Sequence, residues 1–267
     1  MDLSNSITKS VRNISVVIPV LNEAGNIGKL IDDFTSLPKD SLCSRIKEIV
    51  FVDDGSIDGT INIIKSYVAN CKDIDIVVKE RTNKKGTVDA QIFGISCCKY
   101  DSVIVMDGDL QHPVKYLPSL IEKYLEGHDI VLASRYVKGG SAERTVIHGM
   151  ISRGANLAAK VMLPWVRNIK DPISGFFIMN RKLVSSSVHL NGYNKLALYI
   201  LSAGRRPSTA EVPFTFIERS SGESKVSNGG ISFILRYIAE LYFYRRYHLR
   251  ESQKYLIAKP SGNKVRI

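Results

Sequence analysis

Cysteine is scarce in this 267-residue chain, and its four copies, Cys43, Cys71, Cys97 and Cys98, show no C-x-x-C spacing. That pattern excludes the usual zinc sites and a disulfide framework, and leaves the four as reduced thiols of a cytosolic protein. Met1 to Arg12 is polar and lacks the apolar core of a secretory signal. Nowhere do about 18 uncharged apolar residues run together. The expectation is a protein that neither enters the secretory route nor spans a bilayer. Internal repeats and long polar linkers are also missing, so one large α/β domain is the default.

Positive charge, by contrast, is plentiful. Lys and Arg number 37 against 26 for Asp and Glu, a net charge of +11, which favours an anionic partner: nucleic acid, nucleotide or an acidic membrane surface. Zinc-finger spacing and an aromatic RNA-binding signature are absent. The basic residues gather late, from Arg205 to Arg250, beside apolar stretches. Both facts argue against nucleic acid.

Short β-branched runs at Ile14 to Val20, Ile46 to Val52, Ile74 to Val78, Ser102 to Met106 and Ile130 to Ala133 read as strands. Helix-period segments separate them around Ile27 to Phe34, Ile61 to Val68, Val88 to Cys97 and Tyr116 to Tyr124. Alternating strand and helix predicts a parallel sheet covered on both faces. After residue 135 the pattern changes to an apolar helix near Val146 to Leu163, a loop with Asp171 and Gly175, and a strand at Thr209 to Phe216. A Ser/Gly-rich loop, expected to move between Arg219 and Gly230, leads into a last helix from Gly230, and the tail after Arg250 is expected to be loosely ordered.

Chemistry concentrates where strands end. Val103 to Pro113 reads VIVMDGDLQHP, so a buried strand delivers Asp107, Asp109 and Gln111 at one mouth. Three hard oxygen side chains at that spacing suit Mg²⁺ or Mn²⁺, which keeps open positions for substrate phosphates and so points to a nucleotide diphosphate. Val16 to Glu23, VVIPVLNE, ends a strand at Pro19 and offers Asn22 and Glu23 in the loop. Phe51 to Thr60, FVDDGSIDGT, places Asp53 to accept from a base or ribose and Asp58 to cap the next helix. In parallel sheets ligands sit beyond the carboxyl ends of strands, where these residues fall. His112 reads as a turn residue rather than a ligand.

In this order, the segments Ser15 to Glu23, Val52 to Thr60, Met106 to Pro113, Ser134 to Tyr136, Ile151 to Asn156, Asp171 to Gly175 and Gly222 to Lys225 resemble glycosyltransferase family two, and within it the dolichyl-phosphate mannose synthase group. The resemblance implies a GT-A fold, a mostly parallel sheet flanked by helices, together with a nucleotide-sugar donor, a divalent metal and a polyprenyl-phosphate acceptor. It further implies that Pro19, Val20, Asn22, Glu23 and Asp53 line the nucleotide pocket and that Asp107 contacts the donor. Asp109 and Gln111 would hold the metal, and Arg135, Arg153 and Lys225 would face phosphates. One departure is Phe177, where such enzymes commonly carry Arg or Lys. Another is the absence of the transmembrane helices that many relatives carry.

Two segments suggest a bilayer surface. From Ile231 to His248 apolar residues recur at 231, 234, 235, 238, 241 and 242, with Arg236, Arg245, Arg246 and Arg250 available to anionic headgroups, and Ala155 to Val166 carries the only tryptophan, Trp165. The expectation is one GT-A catalytic domain over residues 1–250, with a nucleotide-sugar half at 14–135, an acceptor and membrane-facing half at 136–250, and a tail at 251–267. It would transfer a hexose, mannose from GDP-mannose foremost, with inversion, to polyprenyl phosphate at the cytoplasmic membrane face, with small membrane-anchoring subunits as possible partners. Alternatives are a UDP-glucose-dependent polyprenyl-phosphate glucosyltransferase, a non-catalytic nucleotide-sugar-binding subunit of a membrane complex, and a peripheral protein acting through charge alone.

Overall fold

A computed structural model describes residues 12–38, 41–69, 71–82, 86–143, 146–184, 195–202, 206–217 and 230–257. The first half alternates as the periodicity predicts: β1 (Ile14–Val20), α1 (Ala24–Thr35), β2 (Ile46–Asp53), α2 (Thr60–Val68), β3 (Asp75–Glu80), α3 (Thr87–Cys97), β4 (Ser102–Val105), α4 (Leu117–Leu125) and β5 (Ile130–Ser134). The second half adds β6 (Ser141–Ala142), α5 (Val146–Met162), β7 (Phe177–Asn180), α6 (Leu196–Leu201), β8 (Thr209–Pro213), β9 (Thr215–Phe216) and α7 (Gly230–Ile257).

Seven strands form one sheet in the order β3-β2-β1-β4-β7-β5-β8, and β6 pairs with β9 in a small second sheet. All ladders of the large sheet are parallel except those of β7, which runs antiparallel between β4 and β5. The sequence pattern missed β7, because four residues after a Ser-Gly loop carry too short a period to register. It also missed β6 and α6, and it read β8 and β9 as one strand. The tail expected to be loose begins as helix, since α7 continues through Ile257; 258–267 lie outside the described residues.

Both faces of the sheet are covered, as near-continuous apolar strands require. One face packs Ile14, Val16 and Ile18 with Ile27, Ile31, Ile64, Leu120 and Tyr124 from α1, α2 and α4. The other packs Val17, Val52, Val105 and Phe177 with Ile95, Ala159, Leu198 and Leu241 from α3, α5, α6 and α7. On that face α3 approaches so closely that a Cβ on Gly94 would lie 2.6 Å from Val17 Cγ1 and 2.8 Å from Val52 Cγ2. Phe177 is a core residue there, 1% exposed and paired with Val105 and Leu132. Strand alternation sends Phe176 to the opposite face. The aromatic at 177 therefore fills apolar volume in the core.

The helices α5, α6 and α7 separate buried from exposed residues differently than expected. Leu241 and Tyr244 are in the core, and Tyr237 donates its hydroxyl to Ala155 O at 3.0 Å, so these three serve packing. Trp165 is a packing residue as well: its ring stacks on His248 at 3.8 Å and its Nε1 donates to Ser202 Oγ at 3.3 Å. Outward-facing apolar side chains are Met150, Ile151, Leu157 and Val161 on α5, and Leu235, Ile238, Tyr242, Phe243 and Leu249 on α7. No helix among the described residues is long and apolar enough to cross a membrane.

Candidate active site

The carboxyl ends of β1, β2 and β4 meet, and backbone bonds lock the loops that leave them: Asp54 N donates to Val20 O, and Met106 N to Val17 O. Asn22 adopts φ 57°, a left-handed conformation that asparagine tolerates. Its amide donates to Ser56 Oγ at 2.9 Å, while its Oδ1 accepts Ile57 N at 3.0 Å. Asn22 thereby sews the first loop to the second. Val20 is 2% exposed and belongs to the core, whereas Pro19 and Glu23 are half-buried at the rim.

Asp53 is committed to its own loop more fully than the sequence suggests. One carboxylate oxygen accepts Gly55 N and Ser56 N at 2.8 and 2.9 Å, and the other accepts the Ser56 hydroxyl. Its first task is to shape the Asp-Asp-Gly-Ser turn. Asp58 caps two helices, accepting Ala24 N from α1 at 2.9 Å and Thr60 N from α2 at 3.1 Å. Partial burial would raise its pKa, but these bonds and the Thr60 hydroxyl outweigh that and hold it below the usual carboxylate value. Arg81, which the motifs did not single out, joins this rim through Nε to Asp54 Oδ1 at 3.1 Å. Its only sequence signal is a basic residue directly after a strand.

The segment after β4 is tightly turned. Leu110 has φ 65°, costly for a branched residue, and swings Gln111 back so that its amide donates to Asp109 Oδ1 at 3.1 Å. Gln111 Nε2 donates to Ile217 O at 3.3 Å, which leaves Oε1 as its acceptor oxygen. Asp109 is 2% exposed and Asp107 lies nearer solvent. Behind them His112 is buried, stacked on Phe176 at 5.3 Å. Its Nδ1 accepts Asp107 N at 3.0 Å, so the 3.8 Å approach of that nitrogen to Asp107 Oδ2 is not an ion pair. Desolvation lowers the His112 pKa against the pull of Asp107 and Asp109, in keeping with a neutral ring that props up the turn.

Among the described residues no group of three or more His, Cys, Asp and Glu side chains could hold a metal. The oxygens of Asp107, Asp109 and Gln111 still fit a hard divalent cation. Mg²⁺ and Mn²⁺ accept one or two carboxylates and complete their shells with water and substrate phosphate.

The expected phosphate cations divide. Arg135 spends its fork on Asp171, with Nε to Oδ2 at 2.7 Å and Nη2 to Oδ1 at 2.8 Å. Burial opposes that charge, but Asp171 more than compensates and raises the arginine pKa. Glu211 of β8 holds the same loop, accepting Lys170 N at 2.7 Å and Asp171 N at 2.8 Å. A Cβ on Gly175 of that loop would meet His112 Cε1 at 3.3 Å and Asp107 Oδ2 at 3.5 Å, which shows how closely the loop backs the β4 turn. Arg153 is exposed on α5. Lys225, and the loop expected to move between Arg219 and Gly230, lie outside the described residues except for Gly230 itself.

A mostly parallel sheet with acidic turns at its carboxyl mouth defines a GT-A-like glycosyltransferase. The profile of Glycosyl transferase family 2 matches residues 15–187, and the chain belongs to that family. It is 41% identical over 230 residues to a dolichol-phosphate mannosyltransferase of Pyrococcus furiosus, covering 85% of this chain and 63% of that protein. The chain thus spans less than two thirds of that relative. It is 32% identical over 240 residues to the dolichol-phosphate mannosyltransferase of Saccharomyces cerevisiae, covering 86% of this chain and 87% of the yeast protein. Among solved structures, glucosyl-3-phosphoglycerate synthase from Mycobacterium tuberculosis, in complex with Mn²⁺, UDP-glucose and phosphoglyceric acid, superposes with a TM-score of 0.64. It is 23% identical over 88% of this chain and 80% of that one, a likeness of fold.

Proposed function

We propose that this protein moves a mannosyl unit from GDP-mannose to polyprenyl phosphate, with inversion, at the cytoplasmic face of a membrane. The observation that carries the reading is the Asp107, Asp109 and Gln111 turn at the mouth of β4, in a chain whose relatives along nearly its whole length are named dolichol-phosphate mannosyltransferases. The nucleotide-sugar half is residues 14–135 and the acceptor half begins at 136.

A phosphate monoester has a second pKa of about 6, so the acceptor is already an oxyanion near neutral pH and needs no strong general base. Its oxygen forms the bond to the anomeric carbon while the bond to the nucleoside diphosphate breaks, and the electron pair leaves with the diphosphate. One displacement inverts the configuration. Mg²⁺ or Mn²⁺, when bound, supplies charge neutralisation for that leaving group. Asp109 and Gln111 would hold it, with Asp107 shared between metal and donor. Asn22, Glu23 and the turn shaped by Asp53 would border the nucleotide, with the Asp54–Arg81 pair at its edge. Arg153 and Lys225 would gather the acceptor phosphate. Arg135 acts as a positioning residue for the 171–175 loop.

The lipid acceptor calls for a membrane surface. The outward apolar residues of α5 and α7, flanked by Arg236, Arg245, Arg246 and Arg250, suit an anionic interface. A panel of labelled GDP- and UDP-sugars, each tested against polyprenyl phosphate with Mn²⁺ or with chelator, decides the matter. Lipid-linked mannose from GDP-mannose is expected. Glucose transfer from UDP-glucose would establish the glucosyltransferase alternative, and transfer from no donor would leave a nucleotide-sugar-binding subunit.

A further inference from the structure

We propose that His112 is a positioning residue of the site: its uncharged ring, boxed in by Phe176, Phe214 and Phe216, fixes where Asp107 and Gln111 stand relative to each other. The proposal rests on the transferase reading, in which those two side chains and Asp109 take the divalent cation.

The need for such a residue arises where β4 stops. Val105 ends the strand, and Met106 N still reaches β1 through Val17 O. Asp107 N finds its acceptor outside the sheet, in His112 Nδ1 at 3.0 Å. A ring nitrogen that accepts carries no proton, so the imidazole is neutral with its proton on Nε2. An aspartate at 112 would accept the same bond but bury a third negative charge beside Asp107 and Asp109, and a leucine would deprive the amide of this partner. Histidine supplies an acceptor without charge.

The ring is held from several sides, and His112 is 2% exposed. Phe176 stacks on it at 5.3 Å, Phe216 meets it edge-on at 5.7 Å, and Phe214 lies tilted at 5.9 Å. Each wall has its own backbone anchor. Phe176 O accepts Ala133 N at 2.9 Å, Phe214 N donates to Ser134 O at 3.2 Å, and Phe216 O accepts Glu143 N at 2.8 Å. The glycine at 175 lets the 171–175 loop close on the same ring, since a Cβ there would lie 3.3 Å from His112 Cε1.

The box also reaches the other end of the turn. Ile217 directly follows Phe216; its N donates to Gln111 O at 3.4 Å and its O accepts Gln111 Nε2 at 3.3 Å. Asp107 is thus held through the His112 ring and Gln111 through the neighbour of Phe216, with the His112–Phe216 contact joining the two. Between them lies Leu110 at φ 65°. A strained turn keeps its shape only where its surroundings fix it, and here both ends are fixed.

Variants can take the two properties of the ring apart. His112→Phe keeps an aromatic body in the box and removes the acceptor, and His112→Leu does so with a smaller side chain. His112→Asn puts Oδ1 where Nδ1 stands and gives up the ring. Electron paramagnetic titration of Mn²⁺ in the presence of GDP should show affinity about ten- to a hundredfold weaker in the Phe variant, the scale for losing a group that orients a metal ligand. The Asn variant should recover most of that affinity even as the missing ring lowers its Tm. Wild-type Mn²⁺ affinity in the Phe variant overturns the proposal. So does affinity that follows Tm across the variants rather than the presence of the acceptor, which would make His112 a packing residue. If neither apolar variant folds, the bond serves the fold rather than the site, and the proposal fails. A wild-type protein that binds no Mn²⁺ with GDP and transfers from no donor overturns the transferase reading instead.

Discussion

Arg135 and Asp171 close on each other through both arms of the guanidinium, with side chains 8% and 0% exposed. The pair joins the end of β5 to the 171–175 loop, and that loop carries Gly175 against His112 and Asp107. A residue expected to touch acceptor phosphate is thus tied to the wall behind the Asp107 turn.

Removing one member strands a buried charge. Asp171→Ala should cost about 3–5 kcal/mol of unfolding free energy, whereas a joint replacement by apolar residues of similar volume should recover most of it. Urea denaturation of the single and double variants measures both. Equal losses in the two would mean that the pair packs rather than compensates.

Asp109→Asn keeps an Oδ1 acceptor for the Gln111 amide, so the turn should survive while the charge disappears. Transfer with Mn²⁺ should fall by roughly a hundredfold or more and Mn²⁺ affinity should drop, with Tm nearly unchanged. Electron paramagnetic titration of Mn²⁺ in the presence of GDP checks the site without relying on turnover. Wild-type Mn²⁺ affinity in the variant would contradict the ligand role.

Burial pushes the Glu240 carboxyl up to about 7, against the Tyr244 hydroxyl, the Lys195 amide and the Lys195 charge, and Tyr237 also lies close enough to be raised by it. A folded pKa above the unfolded value favours the protonated fold. That stability is fully present below about 4.5 and is lost as pH rises towards about 7. Glu240→Gln, which never ionises, should match the wild type at acid pH and exceed it above neutrality by up to about 3 kcal/mol. Melting curves of both proteins across that range test the sign; a gain present only at acid pH would refute it.

On α7, Leu235, Ile238 and Tyr242 are exposed and Leu241 is fully buried one position away. Serine at the first three should release the protein from anionic vesicles without lowering Tm, and binding by the wild type should weaken in salt. Leu241→Ser should instead destabilise by about 2–5 kcal/mol, as core truncations do. Co-sedimentation and thermal melts distinguish the two sets. Undiminished vesicle binding by the triple variant would assign the membrane surface elsewhere.

The alternating first half was legible because each strand of a parallel sheet buried on both faces is a continuous apolar run, and each crossover helix keeps its own period. Asp107, Asp109 and Gln111 were legible for a related reason: they end such a run, and only chain direction is needed to put them at the mouth. The antiparallel β7 and the six-residue α6 were not, since four or six apolar residues carry no period that separates strand from helix or loop.

The sequence by itself determined which residues carry hard oxygen donors, and that Asp53, Asp107, Asp109 and Gln111 fall at the carboxyl ends of a parallel sheet. Only the tertiary structure decided how they are used. It turned Asp53 inward to its own loop, gave the Arg135 fork to Asp171, sent Phe177 into the core and Phe176 onto His112, and put Leu241 inside but Leu235 outside. The Asp53 bonds are local, to Gly55 and Ser56, but the other outcomes depend on partners distant in the chain, as with Arg135 and Asp171, 36 positions apart, or on the face a side chain takes in three dimensions. Local pattern encodes direction and burial; which oxygen a buried cation meets is fixed by packing, because a charge removed from water must take the nearest partner the fold provides.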